Sequence, residues 1–327
     1  MDDPAAADAA ITPFHLGEQV VQARVGVRDK VEPFGRIGIR TFMPEQHREL
    51  FEQLPLFFVS AQDRAGRPWA SCLVGDPGFV QAVSDTRLRI SAQPGFGDPL
   101  AGALVAGRPV GGLGLEFPTR RRNRANGRII ADADPGAISI EVLQSFGNCA
   151  QYINARAPRF VRSASEEASE RPVAQGAVLD PISADVIARA DTFFIATQSH
   201  AGGEAVAAGG MDVSHRGGPS GFVRVVDDGS LVWPDYRGNF FFNTLGNLEL
   251  DSRCGLLFLD FDTGDTVQLS GRAAALWEWD RDDPAFRGAQ RLMAFEVEQC
   301  VRISGALPFA WDFLSVAPQF QREARTA

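Results

Sequence analysis

The stretch FFVSAQ at residues 57–62 recurs as FFIATQ at residues 193–198, 136 positions later. Two further matches keep the same order: GFV at 78–80 returns at 221–223, an offset of 143, and GR at 127–128 returns at 271–272, an offset of 144. Self-similarity with a preserved order indicates two copies of one structural unit. The change from 136 to 143 gives the second copy seven extra residues. We expect them in a longer loop around Met211–Gly218, which contains His215 and Arg216.

Each copy has the pattern of a helix followed by short strands. Pro44 precedes a run with Leu50, Phe51 and Leu54 on one helical face, and Ser183 is a candidate cap for the second helix. Turns are expected at 63–66 and 199–202, and the Val-, Leu- and Phe-rich runs that follow are broken by Gly, Pro and Asp. Such spacing is typical of a small barrel. We therefore divide the chain into an N-terminal extension (1–43), a first repeat (44–154), a linker (155–178) and a second repeat with a C-terminal extension (179–327).

Composition excludes several classes of function. The 327 residues carry a formal net charge of −9, which argues against nucleic acid as a partner. No apolar run approaches the roughly 18 residues of a membrane helix, and the start MDDPAAADAA lacks a secretory signal, so we expect a cytoplasmic protein. The 4 cysteines and 4 histidines form no zinc motif, so no metal site is expected. Lys30 is the only lysine and fits no lysine-dependent catalytic motif.

Phosphate-binding chemistry is concentrated in the second repeat. Arg224 lies in a strand-like run, and Arg237-Gly238-Asn239 follows a Pro-Asp turn whose amides can face outward. Guanidinium groups and turn amides are the donors that a phosphate monoester needs. Asn243, one helical turn before Asn247, adds a neutral donor and acceptor. An exposed strand arginine paired with an acid is the alternative reading of Arg224.

The order of these segments resembles the pyridoxamine 5'-phosphate oxidase-like family of FMN-binding split β-barrels. The matching features are the helix-then-strand opening, the strand with Arg224, the segment ending in DSRCGLLF at 251–258, and QLSGR at 268–272. The resemblance covers about residues 180 to 280 and, more loosely, 45 to 130. The two-barrel subgroup, which also occurs joined to ferredoxin-reductase-type modules, is suggested by TRRRNR at 119–124, FGNC at 146–149, PDYRGN at 234–239 and ALP at 306–308.

This resemblance implies a mainly β fold with flanking helices, in which two tandem split β-barrels form an internal pseudo-dimer. It also implies FMN as the cofactor, with the flavin at the barrel–barrel interface. The site would be built mainly from the second barrel and completed by the first barrel or by another subunit. The cofactor-binding residues that the resemblance implies are Arg224, Val225, Tyr236, Arg237, Asn239, Asn243, Gln268 and Arg272. Candidate substrate or partner contacts are His215, Arg216, Arg120, Arg121 and Arg122.

Three functions stay open at this stage. The first is an FMN-dependent oxidoreductase acting on a small molecule or a redox partner protein, with no catalytic residue assigned. It is not pyridoxamine-phosphate oxidase itself, because the Arg-x-His element of those enzymes has no counterpart after His215. The second is a cofactor-free interaction module, favoured by Asp227-Asp228-Gly229 where relatives often carry a lysine. The third is a deazaflavin- or haem-binding relative. Family analogy also suggests a homodimer.

Overall fold

Two large antiparallel sheets dominate the computed structural model, which describes residues 12–164, 170–199 and 209–323. The first sheet has the strand order β2-β1-β5-β6-β7-β4-β3. The second has β11-β10-β14-β15-β16-β13-β12, with β9 added beside β16. Position by position, the two orders are the same. The predicted fold class, mainly β with two tandem split barrels arranged as an internal pseudo-dimer, is confirmed.

The first half of the chain supplies three helices and the first barrel. Its elements are α1 (Leu16–Arg24), α2 (Arg28–Gly38), α3 (Glu45–Gln53), β1 (Leu56–Gln62), β2 (Pro68–Val74), β3 (Val80–Ala82), β4 (Arg87–Ile90), β5 (Pro109–Glu116), β6 (Arg121–Ile130) and β7 (Ile138–Asn148).

The second half supplies two connecting strands, the second barrel, and a C-terminal strand and helix. Its elements are β8 (Ala155–Phe160), β9 (Val173–Gly176), α4 (Pro181–Arg189), β10 (Thr192–Ser199), β11 (Gly210–Gly217), β12 (Arg224–Asp227), β13 (Ser230–Asp235), α5 (Asn243–Leu250), β14 (Arg253–Leu259), β15 (Thr266–Leu276), a 3₁₀ turn (Pro284–Phe286), β16 (Arg291–Ile303), β17 (Phe309–Ser315) and α6 (Pro318–Glu323).

The repeated hexapeptide forms the central part of β1 and β10, and both strands are buried on both faces. Side chains alternate along a strand, so Phe57 and Val59 enter the core of the first barrel while Phe58 enters a third core between the barrels. In β10, Phe193 likewise enters the core of the second barrel, while Phe194 enters the core between the barrels. Each barrel therefore covers an apolar face of the other.

Equivalent residues of the two repeats meet each other at this interface. The rings of Phe58 and Phe194 stack with centroids 3.6 Å apart, and Gln62 Nε2 donates to Gln198 Oε1 at 2.5 Å. Contacts between equivalent positions are the mark of a two-fold relation. The pseudo-two-fold axis of the chain therefore passes between Phe58 and Phe194 and between Gln62 and Gln198.

The repeated glycines stand where backbone geometry requires them. Gly127 and Gly271 both follow a β-bulge, and a Cβ atom on either would lie within about 2 Å of a carbonyl oxygen of the neighbouring strand. Gly78 and Gly221 both have positive φ, at 95° and 83°. These constraints explain why the glycines recur in both copies.

Two expectations about connections are corrected. The equivalent pairs Gln62–Pro68 and Gln198–Met211 enclose spans of different length, so the seven extra residues lie between Gln198 and Met211. Most of that span, including the 199–202 turn beyond its first residue, lies outside the described residues. His215 and Arg216 are instead on β11, which pairs with β10 along its whole length.

The expected linker and helix cap also differ. Residues 155–178 include β8, which pairs with β17, and β9, which pairs with β16, so this segment is part of the sheets. The cap of α4 is Asp180, whose carboxylate accepts from the amides of Ile182 and Ser183. Pro181 at the first helical position explains this, because the residue before such a proline occupies the cap.

The N-terminal extension packs against the second barrel. A Cβ atom on Gly17 of α1 would lie 2.0 Å from the carbonyl oxygen of Gly246 in α5, so only glycine allows this close approach. His15 caps α1 and also bonds Asn247 through Nε2 at 2.8 Å. In the part of the chain that the structure describes, no helix is long and apolar enough to cross a membrane.

Candidate functional site

A cavity of about 130 Å³ lies between the barrels, which we call the inter-barrel cavity. The first barrel and the segment after it contribute Leu113, Arg122, Arg124, Asn148, Cys149, Gln151 and Tyr152. The second barrel contributes Ser214, His215, Arg216, Gly217, Phe222, Pro234, Asp235, Tyr236, Gly238, Asn239, Phe240, Phe242, Asn243, Thr244 and Leu245. Cys149, Gly238 and Asn239 are exposed, so the cavity opens to solvent on that side. The cavity exists only because the two repeats face each other.

Strand alternation places the arginines of the first barrel. Arg122 and Arg124 are two residues apart on β6 and therefore share a face, which lines the cavity. Arg121, between them, is exposed and donates to the Gln46 carbonyl at 3.3 Å. Arg216 reaches the same cavity from β11 of the opposite barrel.

Arg124 is held by a buried ion pair that joins the two barrels. Its Nε lies 2.9 Å from Oδ1 of Asp212 on β11, and the two side chains are only 5% and 6% exposed. Its Nη1 donates to Asn243 Oδ1 at 2.8 Å, and Nη2 donates to Ser214 Oγ. Asp212 also accepts from Asn126 Nδ2 at 2.9 Å. Arg124 thus fixes β6, β11 and α5 relative to one another.

Arg122 has donors left over for a ligand. Its Nε donates to the Cys149 carbonyl at 2.8 Å and its Nη1 donates to His215 Nδ1 at 3.2 Å, while Nη2 has no hydrogen bond among the described residues. A guanidinium group has only donors, so Nδ1 must be the acceptor. A neutral His215 therefore carries its proton on Nε2. Burial, reinforced by Arg122, Arg216 and Arg156, holds the pKa of His215 well below its usual value, so the ring is neutral.

The walls of the cavity carry excess positive charge. Among the described ion pairs, Arg124 has Asp212 as its partner, but neither Arg122 nor Arg216 has a carboxylate within 4.0 Å. Asp235, which also lines the cavity, is paired with Arg291 at 3.0 Å and acts on Arg216 over a longer distance. Burial lowers the pKa of both Arg122 and Arg216, which reflects the cost of holding these cations in a partly desolvated space. An anion in the cavity would offset that cost.

The N-terminus of α5 faces the same space. Asn243, Thr244 and Leu245 form its first turn and line the cavity, and first-turn amides have no acceptor within the helix. The aligned peptide dipoles add partial positive charge there. Two further buried polar atoms of cavity-lining residues, Nε2 of His215 and Nδ2 of Asn148, have no hydrogen-bond partner within the described ranges.

A buried acid from the N-terminal extension supports this helix end. Glu18 Oε1 accepts from Asn243 Nδ2, and its Oε2 accepts from the His15 amide at 2.9 Å. Burial raises the pKa of Glu18 to about 8, against the opposing hydrogen bonds from His15 and Asn243. Glu18 is therefore mostly protonated at neutral pH, so it does not cancel the positive charge of the cavity.

Aromatic residues in strained backbone conformations surround the opening. Among the described residues, four that are not glycine have positive φ, and Tyr152, Phe240 and Phe242 of these line the cavity. Such conformations cost about 1–3 kcal/mol each and concentrate at functional sites. The rings of Tyr152 and Tyr236 stack with centroids 5.1 Å apart, and the Tyr152 hydroxyl donates to the Arg237 carbonyl at 3.0 Å.

The pseudo-two-fold axis generates a second, smaller cavity of about 40 Å³. Strand register shows which residues of the two cavities are equivalent. Cys72 pairs with Phe58, and His215 pairs with Phe194. Because Phe58 and Phe194 are equivalent, so are Cys72 and His215. In the same way, Gln268 is equivalent to Arg124, because they pair with Leu257 and Leu113. Thr266 likewise stands where the first barrel has Arg122. Only one of the two equivalent sites therefore carries the arginines and the histidine.

The structure brings together six of the residues proposed from the sequence. The inter-barrel cavity is lined by Tyr236, Asn239, Asn243, His215, Arg216 and Arg122. Arg237 lies beside it, with its guanidinium 5.1 Å from the Phe240 ring centre. The cavity thus combines residues of the second barrel with arginines of the first.

The other proposed residues lie elsewhere. Arg224 and Val225 are on β12, and the half-exposed Arg224 pairs with Asp283 at 3.5 Å and lies over the Phe286 ring. Arg272 is exposed and pairs with Glu298 at 2.9 Å. Gln268 belongs to the second cavity. Arg120 donates to the Ile153 carbonyl at 2.8 Å and to Ser315 Oγ at 2.6 Å, which ties it to β17.

Three contributors escaped the sequence analysis: Arg124, Asp212 and Glu18. The i, i+2 spacing of Arg122 and Arg124 in TRRRNR could have revealed the first, because residues two apart on a strand share a face. Asp212 and Glu18 had no such signal, because their roles depend on contacts between distant segments. The described residues include no cluster of three or more His, Cys, Asp or Glu side chains suited to a metal ion.

Comparisons with known proteins give matches in structure only. No protein-family model and no curated protein matches the chain. A putative pyridoxamine 5'-phosphate oxidase from Lactobacillus delbrueckii is 17% identical, with a TM-score of 0.29, covering 38% of this chain and 94% of its own. An FMN-binding protein from Syntrophomonas wolfei is 12% identical, with a TM-score of 0.27, covering 36% and 80%.

The haem storage protein HutZ from Vibrio cholerae is 13% identical, with a TM-score of 0.26, covering 40% of this chain and 96% of its own. All three TM-scores are below 0.5. The fold therefore rests on the strand order of this chain, and the function on the contents of its cavity.

The Arg124–Asp212 pair should be essential to stability. Replacing Asp212 with alanine leaves a buried guanidinium without its counter-charge, so we expect the free energy of unfolding to fall by about 3–5 kcal/mol. Glu298→Ala, which breaks the exposed pair with Arg272, should cost no more than about 1 kcal/mol. Urea denaturation of both variants measures the difference, and equal losses would contradict the assigned role of the buried pair.

Glu18 should make stability depend on pH. Its pKa is about 8 in the folded protein and near 4.5 when unfolded, so between these values the unfolded chain loses a proton that the folded protein keeps. The free energy of unfolding should thus fall as pH rises through this window. Glu18→Gln removes this loss, whereas Glu49→Gln, an exposed residue of α3, should follow the wild type. Denaturation curves at several pH values measure the free energy of unfolding of each protein. If this free energy changed with pH in the same way for Glu18→Gln and wild type, Glu18 would not be the group responsible.

Proposed function

We propose that the inter-barrel cavity binds FMN and that the protein is an FMN-dependent oxidoreductase. The observation that carries this proposal is the position of Arg122 and Arg216 beside the N-terminus of α5, where neither has a carboxylate within 4.0 Å among the described residues. A phosphate monoester matches this set, because it needs several convergent donors and excess positive charge.

The residues of the cavity divide into two groups of different chemistry. Arg122, Arg216 and the first turn of α5 would hold the phosphate. Tyr236, Phe240 and Phe242 provide aromatic surface of the kind that contacts a planar ring system. When bound, a flavin supplies one- and two-electron transfer, and the protein supplies binding, orientation and electrostatics.

Arg124 serves this site indirectly. Its guanidinium is occupied by Asp212, Ser214 and Asn243, so we assign it the role of positioning the first turn of α5. The homodimer expected by analogy stays a prediction. Both barrels of a single chain form the walls of the cavity, so the site is complete without a wall from a second copy of the chain.

Two alternatives fit the geometry less well. Haem ligation by His215 would need a lone pair on Nε2, but the hydrogen bond from Arg122 to Nδ1 places the proton there. A cofactor-free module would leave Arg122 and Arg216 in a partly buried cavity with no carboxylate within 4.0 Å among the described residues. An absorption spectrum of the purified protein separates flavin, deazaflavin, haem and no cofactor.

The test compares FMN with riboflavin, which lacks the phosphate. Wild type should bind one FMN per chain and bind riboflavin more weakly. Arg216→Ala should weaken FMN binding by about 1.5–3 kcal/mol, roughly 10- to 150-fold, and leave riboflavin binding nearly unchanged. Arg122→Ala should weaken FMN binding by a similar factor and riboflavin binding by a smaller one, because Arg122 also holds His215. Arg224→Ala, an exposed arginine outside the cavity, is the matched control and should bind both flavins as wild type does.

Fluorescence titration measures these affinities. Failure of the wild type to take up FMN would defeat the proposal. Equal losses for FMN and riboflavin would show that the arginines do not hold the phosphate. Bleaching of the bound flavin by a nicotinamide donor, followed by recovery with an electron acceptor, tests the oxidoreductase part.

A further inference from the structure

His215 occupies a position that distinguishes the two equivalent sites. It is 3% exposed, lines the inter-barrel cavity, and packs edge-on against Phe194 at 5.6 Å. Its counterpart near the second cavity is Cys72. The imidazole therefore belongs with the three arginines as a feature of one site only.

The surroundings fix which nitrogen of His215 carries the proton. Arg122 Nη1 donates to Nδ1, and Arg122 is itself held by the Cys149 carbonyl, so its guanidinium cannot easily turn away. Nε2 then bears the hydrogen, is buried, and has no acceptor among the described residues. A buried donor without a partner costs roughly 1–3 kcal/mol, and an acceptor atom supplied by a ligand would recover that loss.

We propose that His215 is a neutral hydrogen-bond donor that recognises, through Nε2–H, an acceptor atom on the ligand of the inter-barrel cavity, and that Arg122 sets its tautomer. This inference rests on the proposed function only in its choice of FMN as the ligand. Acceptors of this kind are carbonyl oxygens and unprotonated ring nitrogens, both of which a flavin carries. His215 thus selects for an acceptor at its position and does not transfer protons.

The charged groups around the ring support a permanently neutral donor. Arg122 approaches it from β6, Arg216 is the next residue on β11, and Arg156 adds positive charge from β8. Arg124 and Asp212 neutralise each other nearby. Asp191 pairs with Arg156, and Asp235 acts on Arg216, but no carboxylate among the described residues is within 4.0 Å of the His215 ring. Protonation of the buried imidazole is therefore disfavoured throughout the physiological range.

Two variants distinguish the contribution of the Nε2–H donor from that of the aromatic ring. His215→Phe keeps an aromatic ring of similar size but removes the donor, and His215→Gln places an amide NH₂ near the position of Nε2. FMN binding should weaken about tenfold in His215→Phe and stay within about threefold of wild type in His215→Gln. Cys72→Ala, at the equivalent position of the other barrel, is the matched control and should leave FMN affinity unchanged. FMN binding to His215→Phe as tight as to wild type overturns the proposal.

Nitrogen-15 NMR of the imidazoles gives a readout that needs no ligand. The His215 signals, assigned by their loss in His215→Gln, should show a neutral ring protonated on Nε2 from about pH 6 to about pH 9. In Arg122→Ala the preference for that tautomer should weaken. An Nδ1-protonated or titrating ring overturns the proposal. If wild type takes up no FMN, the proposed function fails, and this measurement still decides the state of His215.

Discussion

Each barrel has an apolar outer face on one strand, β1 or β10, that only the other barrel covers, and this constraint organises the molecule. β1 and β10 are apolar on both faces, so one face fills a barrel and the other must be covered by the opposite barrel. The stack of Phe58 on Phe194 places equivalent residues in contact and defines the pseudo-two-fold axis. A cavity between the barrels follows from this packing, with walls from both halves of one chain.

The two halves have kept the same fold but differ in their electrostatics. Equivalent positions carry Arg122 and Thr266, Arg124 and Gln268, or His215 and Cys72. The larger cavity has cations, a helix N-terminus and unpaired buried donors. In the smaller one, Asp98 accepts from Ser71 and Gln268, Arg171 is part of the lining, and Gln268 Oε1 has no hydrogen-bond partner among the described residues. An internal repeat allows this division, because each half can change its residues independently.

More of the fold than of the candidate site could be predicted from the sequence. The repeat, both helices before the strands, and the double set of strands followed from offsets and periodicity, because local patterns encode them. Arg224, which the sequence suggested as a phosphate ligand, pairs with Asp283 on the surface and lies outside the inter-barrel cavity. The cavity arginines are brought together by register between distant strands, and His215 was assigned to a loop because the position of the seven extra residues could not be fixed without strand pairing. Contacts of the N-terminal extension, such as Glu18 with Asn243, leave no local trace in the sequence.

The central claim is that one of two equivalent cavities has become an anion-binding flavin site. A crystal structure of the protein with FMN tests it most directly. The account predicts one FMN per chain, in the inter-barrel cavity, with its phosphate on Arg122 and Arg216, and no flavin in the smaller cavity. A phosphate bound at Arg224, or a flavin seated in the smaller cavity, would contradict it.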